Sequence, residues 1–177
     1  DELKELEDRL RRAEEEARRL LEEIKKRLKE SNEELKRLVE ENEKLVKEAL
    51  RRLENTDVDK KIIETLKRLL EESVERSRRL VERNREESEK VVERLKRILE
   101  ELRRLLRRVV EEAARVKDKD VLRKLLEEVE RLVKRVLDEL RALLKEVEDL
   151  VRKSVEDLRK LLEETRKLVR EMEERVR

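Results

Sequence analysis

The chain has 177 residues, of which 58% are charged, and its 52 Lys and Arg nearly balance its 50 Asp and Glu at a formal net charge of +2. It contains no Gly, Pro, Cys, His or aromatic residue. The charge balance argues against a general binder of nucleic acids or acidic substrates, which usually carries a positive excess. The missing His and Cys remove common metal ligands, thiol chemistry and the usual base for a Ser nucleophile. We therefore expect no enzymatic activity, no cofactor and no metal.

The apolar residues recur about every 3.6 positions along three segments of the chain. Walks of this step from Leu3, Leu66 and Leu122 meet apolar or small uncharged residues until the next break in the pattern. A composition rich in Leu, Glu, Lys and Arg with this period is typical of long helices. Because a left-handed supercoil requires a repeat of 3.5, the pattern predicts helices that are nearly straight.

The pattern breaks twice and predicts three helices, at about 2–54, 57–116 and 119–176. Asn55 can take the left-handed conformation that ends a helix, and Thr56 is the predicted N-cap of the second helix. Asp118 is the predicted N-cap of the third helix. Turns this short force consecutive helices to run antiparallel. The sequence therefore predicts an all-α, antiparallel three-helix bundle in a single domain over residues 1–177, with left- and right-turning arrangements both open.

Nine uncharged polar residues interrupt the apolar faces of the predicted helices. They are Ser31, Asn32, Asn42, Ser73, Ser77, Asn84, Ser88, Ser154 and Thr165. Folding the chain at its turns pairs residue i of the first helix with roughly 112−i of the second, and residue j of the second with roughly 236−j of the third. This places Asn42 near Ser73 and Thr165. It also places Ser31 and Asn32 near Asn84 and Ser154, so polar groups converge in two layers.

We expect these layers to be buried and hydrogen-bonded, because a buried polar group without a partner costs free energy and penalises misaligned helices. The alternative is that some of the nine lie at the edge of the apolar face and meet water, with Ser88 as the first example. A ligand-binding or catalytic site is disfavoured, since no His is present to activate a Ser.

A strongly basic stretch runs from Arg94 to Arg108, with seven cations against Glu100 and Glu101. We expect these cations to pair with acidic residues of the other two helices, as complementary flanks in helical bundles do. The acidic residues at the same levels are Glu5, Glu7, Asp8 and Glu14 to Glu16 of the first helix, and Glu127, Glu128 and Glu130 of the third. A phosphate or anionic-lipid patch is the alternative. Without aromatic residues the chain has no platform for base stacking. We expect no nucleic acid, membrane or small molecule as a partner.

Together these features resemble those of computationally designed helical bundles with buried hydrogen-bond networks. The resemblance covers the whole chain. It rests on a Leu/Val/Ile core without aromatics, the Ser/Asn/Thr layers, charge-saturated surfaces such as Glu14-Glu15-Glu16, and short turns at Asn55-Thr56-Asp57 and Lys117-Asp118. Such proteins are very stable and usually lack natural activity, which implies a structural scaffold.

The alternative function is a designed interaction module that accepts a partner helix or self-associates. Apolar faces about 140° wide suit both three-helix and four-helix packing, so this alternative stays open, although we favour a monomer. No targeting or transmembrane segment is visible. The compartment is therefore left unassigned, and we expect a soluble chain that is cytoplasmic on recombinant expression.

Overall fold

The structure of the protein, a computed structural model, describes residues 2–176. Three helices account for nearly all of them: α1 (Glu2–Glu54), α2 (Lys60–Arg115) and α3 (Lys119–Val176). The helices pack against one another in an all-α three-helix bundle, as predicted, and no strand occurs between residues 2 and 176.

The described residues form two compact units, and all three helices contribute to both. Unit 1 comprises the described residues up to Arg27 together with Ser88–Glu148, and unit 2 comprises Leu28–Glu87 together with the described residues from Asp149 on. The interior of unit 1 includes an apolar cluster of Leu6, Leu10, Ala113 and Val129. The interior of unit 2 includes two such clusters, one of which contains Val46, Ala49, Leu53, Leu66, Leu70 and Met172, and the other Leu35, Val155, Leu158 and Leu161.

Buried positions recur along each helix at intervals of five helical turns. In α1, Leu6, Ile24 and Asn42 are all buried at this interval. Three further buried sets follow the same rule: Leu10, Leu28 and Val46; Ala13, Ser31 and Ala49; and Ala17, Leu35 and Leu53. At about 3.6 residues per turn, five turns span 18 residues, the interval from Leu6 to Ile24. Because this is a whole number of residues, side chains one interval apart point in the same direction, and the buried face runs along the helix axis without winding around it. We call this interval the five-turn period.

The turn between α1 and α2 differs from the prediction at both of its capping residues. None of the described residues has a positive φ, so the prediction of a left-handed Asn55 was wrong. Instead α1 ends on tightened backbone bonds, from Asn55 N–H to the Arg52 carbonyl and from Thr56 N–H to the Leu53 carbonyl, both at 3.3 Å. These bonds satisfy carbonyls at the helix end without left-handed backbone.

Thr56 is not the N-cap of α2, because α2 begins at Lys60 and not near residue 57. The Thr56 hydroxyl donates to the Leu53 carbonyl at 2.8 Å, so it serves the end of α1. Asp59 stands immediately before α2, and its Oδ1 accepts from Lys61 N–H at 3.3 Å. At the other turn Asp118 precedes α3, and its Oδ1 accepts from Asp120 N–H at 3.0 Å, which is the geometry of an N-cap.

The longer first turn shifts the register between α1 and α2 by nearly one helical turn. The predicted fold-back places residue 70 opposite Asn42, whereas Asn42 is hydrogen-bonded to Ser73. The difference between residue 70 and Ser73 is three residues. α2 also begins three residues later than predicted, at Lys60 and not at residue 57. Partners on α1 and α2 run in opposite directions along the chain, since Asn32 bonds to Asn84 while Asn42 bonds to Ser73. The two helices are therefore antiparallel.

Candidate functional site: polar side chains in the helical core

Three polar side chains from three helices meet in the interior of unit 2. The Asn42 amide Nδ2 of α1 donates to Ser73 Oγ of α2 at 3.1 Å, and Ser73 Oγ lies 2.8 Å from Thr165 Oγ1 of α3. Thr165 Oγ1 also donates to the Leu161 carbonyl at 3.0 Å. All three polar residues are buried, with Asn42 only 1% exposed. The structure therefore brings together the three residues that the fold-back places at one level.

A second group of polar side chains lies further along unit 2. Ser154 Oγ of α3 donates to Asn84 Oδ1 of α2 at 2.9 Å, and Asn84 Nδ2 donates to Asn32 Oδ1 of α1 at 3.3 Å. Asn84 is buried, Ser154 is partly buried and Asn32 is exposed. The group therefore runs from the core to the surface, and its open end is on α1.

The remaining three of the nine polar residues, Ser31, Ser77 and Ser88, are all buried, and Ser31 and Ser77 take no part in these two groups. Ser77 Oγ donates to the Val74 carbonyl of its own helix at 2.7 Å. Ser31 is 2% exposed, and its Oγ has no hydrogen-bond partner among the described residues. Ser88 is buried, so the expectation that it lies at the exposed edge was wrong. Asn32 takes that place, because it lies immediately after the buried position of Ser31.

The five-turn period identifies the apolar residues that occupy the equivalent positions further along each helix. One and two periods before Asn42 lie Ile24 and Leu6. The corresponding residues for Ser73 are Val91 and Val109, and those for Thr165 are Val147 and Val129. Leu6, Val109 and Val129 indeed share one apolar cluster in unit 1. The layer of Asn42, Ser73 and Thr165 is thus a polar version of an apolar layer.

The five-turn period was visible in the sequence, although the 3.6-residue walk did not use it. In α3 the segment Leu122–Glu128 reads LRKLLEE, and it recurs as LRALLKE at 140–146 and as LRKLLEE at 158–164. A comparison of each helix with itself, shifted by one period, would have identified the exceptional positions directly. Polar residues at positions that are apolar in the other copies are the signal.

Ion pairs connect α1 with α3 along both units. The described residues include Glu2–Arg123, Arg9–Glu130, Glu16–Arg141, Arg27–Glu148, Glu34–Arg159, Glu41–Arg166 and Arg52–Glu173. The two numbers of each pair differ by 121 or 125, so α1 and α3 run parallel. Hydrogen bonding to Glu163 and the nearby Glu41 carboxylate raise the pKa of Arg166 above its ordinary value. The pairs are exposed, so each contributes little to stability on its own.

Within the described residues, only one cation of the basic stretch from Arg94 to Arg108 pairs across helices, although pairing of the whole stretch was predicted. Arg94 bonds to Glu146 of α3 at 3.1 Å, but the other six cations have no ion pair with any residue between 2 and 176. Several of the acidic residues expected to meet them pair elsewhere, as in Glu5–Arg9, Asp8–Arg11, Glu14–Arg18, Glu16–Arg141 and Glu130–Arg9. For the other six cations the prediction was wrong, because matching levels along two helices does not fix which flank carries each charge.

The described residues offer no group of three or more His, Cys, Asp or Glu side chains that could hold a metal ion. Within residues 2–176, no helix contains an apolar stretch that could span a bilayer. Comparison of the chain with protein-family models, with curated proteins and with solved structures finds no match. The class that the fold defines is therefore a three-helix bundle, and its distinctive local feature is the set of buried Ser, Asn and Thr side chains.

Proposed function

We propose that the protein is a de novo designed structural scaffold without natural biochemical activity, and that its buried Ser, Asn and Thr side chains specify the alignment of its helices. The observation that carries this proposal is the contact of Asn42, Ser73 and Thr165. Each of the three side chains is hydrogen-bonded within this group, and the apolar clusters of unit 2 surround it. A reactive site would instead leave a nucleophile or an acid accessible to a substrate.

The five-turn period creates the problem that these side chains would solve. If α2 were displaced along α1 by one period, apolar layers would again meet apolar layers, so burial of apolar surface discriminates weakly between the two alignments. Asn42 would then face Val91 and not Ser73. Each buried polar group left without a partner costs about 1–3 kcal/mol, so the displaced alignment is penalised.

Short turns also oppose displacement within one chain, because the helix ends next to them would have to unfold. Pairing with a second chain is free of this restraint, and it is there that an ambiguous period is most damaging. We therefore propose that the polar layers keep the protein from associating into larger oligomers and also keep its helices in one alignment. The composition supports a designed origin, since 177 residues lack Gly and Pro, which average usage would supply at about 7% and 5%.

The test converts five of the six side chains in the two polar groups into copies of their apolar counterparts and leaves the exposed Asn32 unchanged. The variant carries Asn42→Ile, Ser73→Val, Thr165→Val, Asn84→Leu and Ser154→Val, and the control carries Val91→Ile in an apolar layer. Pairs of spin labels are attached through Cys introduced on α1 and α2, which is specific because the chain has no Cys. Distances between labels and the mass by light scattering are then measured.

We expect one narrow distance distribution for the parent and the control. For the variant we expect a second distance, displaced by about 27 Å for a shift of five turns, or oligomers whose mass grows with concentration. If the variant has the same label distances and the same mass as the parent, the polar layers do not have the proposed role. The helical content, followed by circular dichroism, shows whether the variant has folded.

The interaction module remains the second candidate, and one observation favours it. A groove of about 360 Å³ lies between α2 and α3 within unit 2, and Ile62 and Leu69 on its wall are 39% and 41% exposed. Light scattering of the parent chain together with Ile62→Glu/Leu69→Glu tests this candidate. A parent dimer that the double variant dissociates would favour the module, whereas a monomeric mass for both would favour the self-contained scaffold.

A further inference from the structure

The seam between α1 and α2 in unit 1 has cations on both of its sides. The ion pair of Arg78 with Glu43 at 3.0 Å identifies the faces of α2 and α1 that meet at this seam. Lys96 lies one five-turn period after Arg78, and Lys25 lies one period before Glu43. Because the helices are antiparallel and the period is a whole number of turns, Lys25 and Lys96 occupy the equivalent opposed positions. Two like charges therefore stand where an ion pair stands in unit 2.

More cations continue this arrangement on the two helices. Arg18 lies two turns before Lys25 on α1, and Arg103 and Arg107 lie two and three turns after Lys96 on α2. Lys96, Arg103 and Arg107 are exposed and have no ion pair with any described residue, and the same is true of Lys25. Arg18 pairs only along its own helix, with Glu14 at 3.5 Å. We call Arg18, Lys25, Lys96, Arg103 and Arg107 the basic seam.

The floor of the basic seam is apolar and incompletely covered. Leu21 lies between Arg18 and Lys25 on α1 and is partly exposed. On α2, Val92 and Leu99 stand about one turn before and one turn after Lys96, and both are partly exposed. Side chains one turn apart share a face of a helix, so each side of the seam combines an apolar row with a basic rim.

The seam between α1 and α3 shows how this bundle compensates charge where two of its own helices meet. There each pair joins a Glu of one helix to an Arg of the other, as in Glu16–Arg141 and Arg27–Glu148 of unit 1. The basic seam lacks such partners within the described residues. Its charges are complementary to a ligand that brings its own acidic groups and an apolar surface.

We propose that the basic seam is a docking surface for an amphipathic helix whose apolar face is flanked by Glu or Asp side chains. Such a helix would place its apolar residues on Leu21, Val92 and Leu99, and its carboxylates between the cations of α1 and α2. This is how acidic and basic flanks select partners in helical bundles. The proposal is independent of the scaffold function, since the polar layers lie on the buried faces and the seam on the flanks.

A nucleic-acid or lipid-headgroup ligand fits the seam less well. Glu14 and Glu100 lie beside the basic rim and would weaken the binding of any anionic ligand, so the apolar floor is what distinguishes a docked helix from a phosphate ligand. The chain also has no aromatic side chain on which a base could stack. The partly exposed apolar floor has no role in phosphate binding, whereas a docked helix would cover it.

The test uses two synthetic helices of about three heptads, with Leu at the core positions and either Glu or Lys at the flanking positions. Binding of each to the full chain is measured by fluorescence anisotropy at two salt concentrations. The variant Lys25→Glu/Lys96→Glu alters the seam. The control Arg131→Glu/Arg135→Glu makes the same change in net charge at exposed cations of α3 that have no ion pair with described residues.

We expect the Glu helix to bind at least tenfold more tightly than the Lys helix, and more weakly as salt rises. The seam variant should lose this preference by tenfold or more, and the control should stay within twofold of the parent. Equal affinity for both helices, or an equal loss in the control, would overturn the proposal. So would binding of a short DNA duplex or of phosphatidylserine vesicles more tightly than the Glu helix, or a dimer of the chain alone that the seam variant dissociates.

Discussion

Ser73 Oγ on α2 lies 2.8 Å from Thr165 Oγ1 on α3, and the neighbouring groups set the direction of this hydrogen bond. Thr165 gives its single hydroxyl proton to the Leu161 carbonyl, so its oxygen is left to accept from Ser73. Ser73 in turn accepts from the Asn42 amide Nδ2 at 3.1 Å, and its own proton goes to Thr165 Oγ1 because the other acceptor within reach, Asn42 Oδ1, lies farther away at 3.4 Å. The protons therefore point one way, from α1 through α2 to α3, and each hydroxyl is both donor and acceptor.

Removing the middle hydroxyl of this chain should be costly. Ser73→Ala leaves the Asn42 amide and the Thr165 oxygen without their partner in a buried place, which we expect to lower the free energy of unfolding by about 1–3 kcal/mol. Urea unfolding followed by circular dichroism measures the change. Ser77→Ala is the matched control on the same helix, because the Ser77 hydroxyl bonds only to the Val74 carbonyl of its own turn. A Ser73→Ala effect no larger than that of Ser77→Ala would contradict the directional chain.

A second substitution at a buried Ser should have the opposite sign. The Ser31 hydroxyl is buried and has no hydrogen-bond partner among the described residues, and Ala13 and Ala49 occupy the same place in the other two copies of the five-turn period. Ser31→Ala removes an uncompensated polar group without creating a large cavity. We expect it to raise the free energy of unfolding by about 1 kcal/mol.

The same urea experiment tests Ser31→Ala, with Ala49→Ser as the converse change in the apolar cluster of Leu53 and Leu66. Ala49→Ser should destabilise by a similar amount. If Ser31→Ala were destabilising instead, the Ser31 hydroxyl must have a hydrogen-bond partner in solution. The five-turn period would then fail to distinguish the polar residues that form the layers from those that do not.

The sequence predicts those features that depend on periodicity and fails on those that depend on turns and side-chain direction. A residue's level along the helices follows from its number, and this is why Asn42, Ser73 and Thr165 were placed together. The cap at Asp59 was missed because Thr56 and Asp59 are both good N-cap residues, and the pattern of apolar residues does not decide between them. The basic stretch was misjudged for a related reason, since pairing depends on which flank of each helix faces its neighbour.

Asp59 should therefore matter more for stability than Thr56. Its carboxylate accepts the Lys61 N–H in the first turn of α2, where a negative charge also interacts favourably with the helix dipole. We expect Asp59→Ala to lower the free energy of unfolding by about 1 kcal/mol, and Asp118→Ala to act equally at the start of α3.

Asp57→Ala is the control for Asp59→Ala, since Asp57 lies in the same turn and carries the same charge. It should change the free energy of unfolding by less than about 0.5 kcal/mol. Hydrogen exchange of the Lys61 and Ile62 amides should quicken in Asp59→Ala alone. If exchange of these amides quickened in Thr56→Ala and not in Asp59→Ala, Thr56 would be the N-cap of α2.

The opposed positions of Lys25 and Lys96 lead to a stability prediction that needs no partner. In the equivalent positions of unit 2, Glu43 and Arg78 attract each other. Lys25→Glu recreates that pair with Lys96 and removes a like-charge repulsion, so we expect a gain of about 0.2–1 kcal/mol in the free energy of unfolding by urea. The gain should shrink in about 1 M NaCl, where the Debye length is about 3 Å. Lys26→Glu changes the charge by the same amount on a neighbouring exposed position, and a gain as large from Lys26→Glu would show that the effect follows net charge and not the seam.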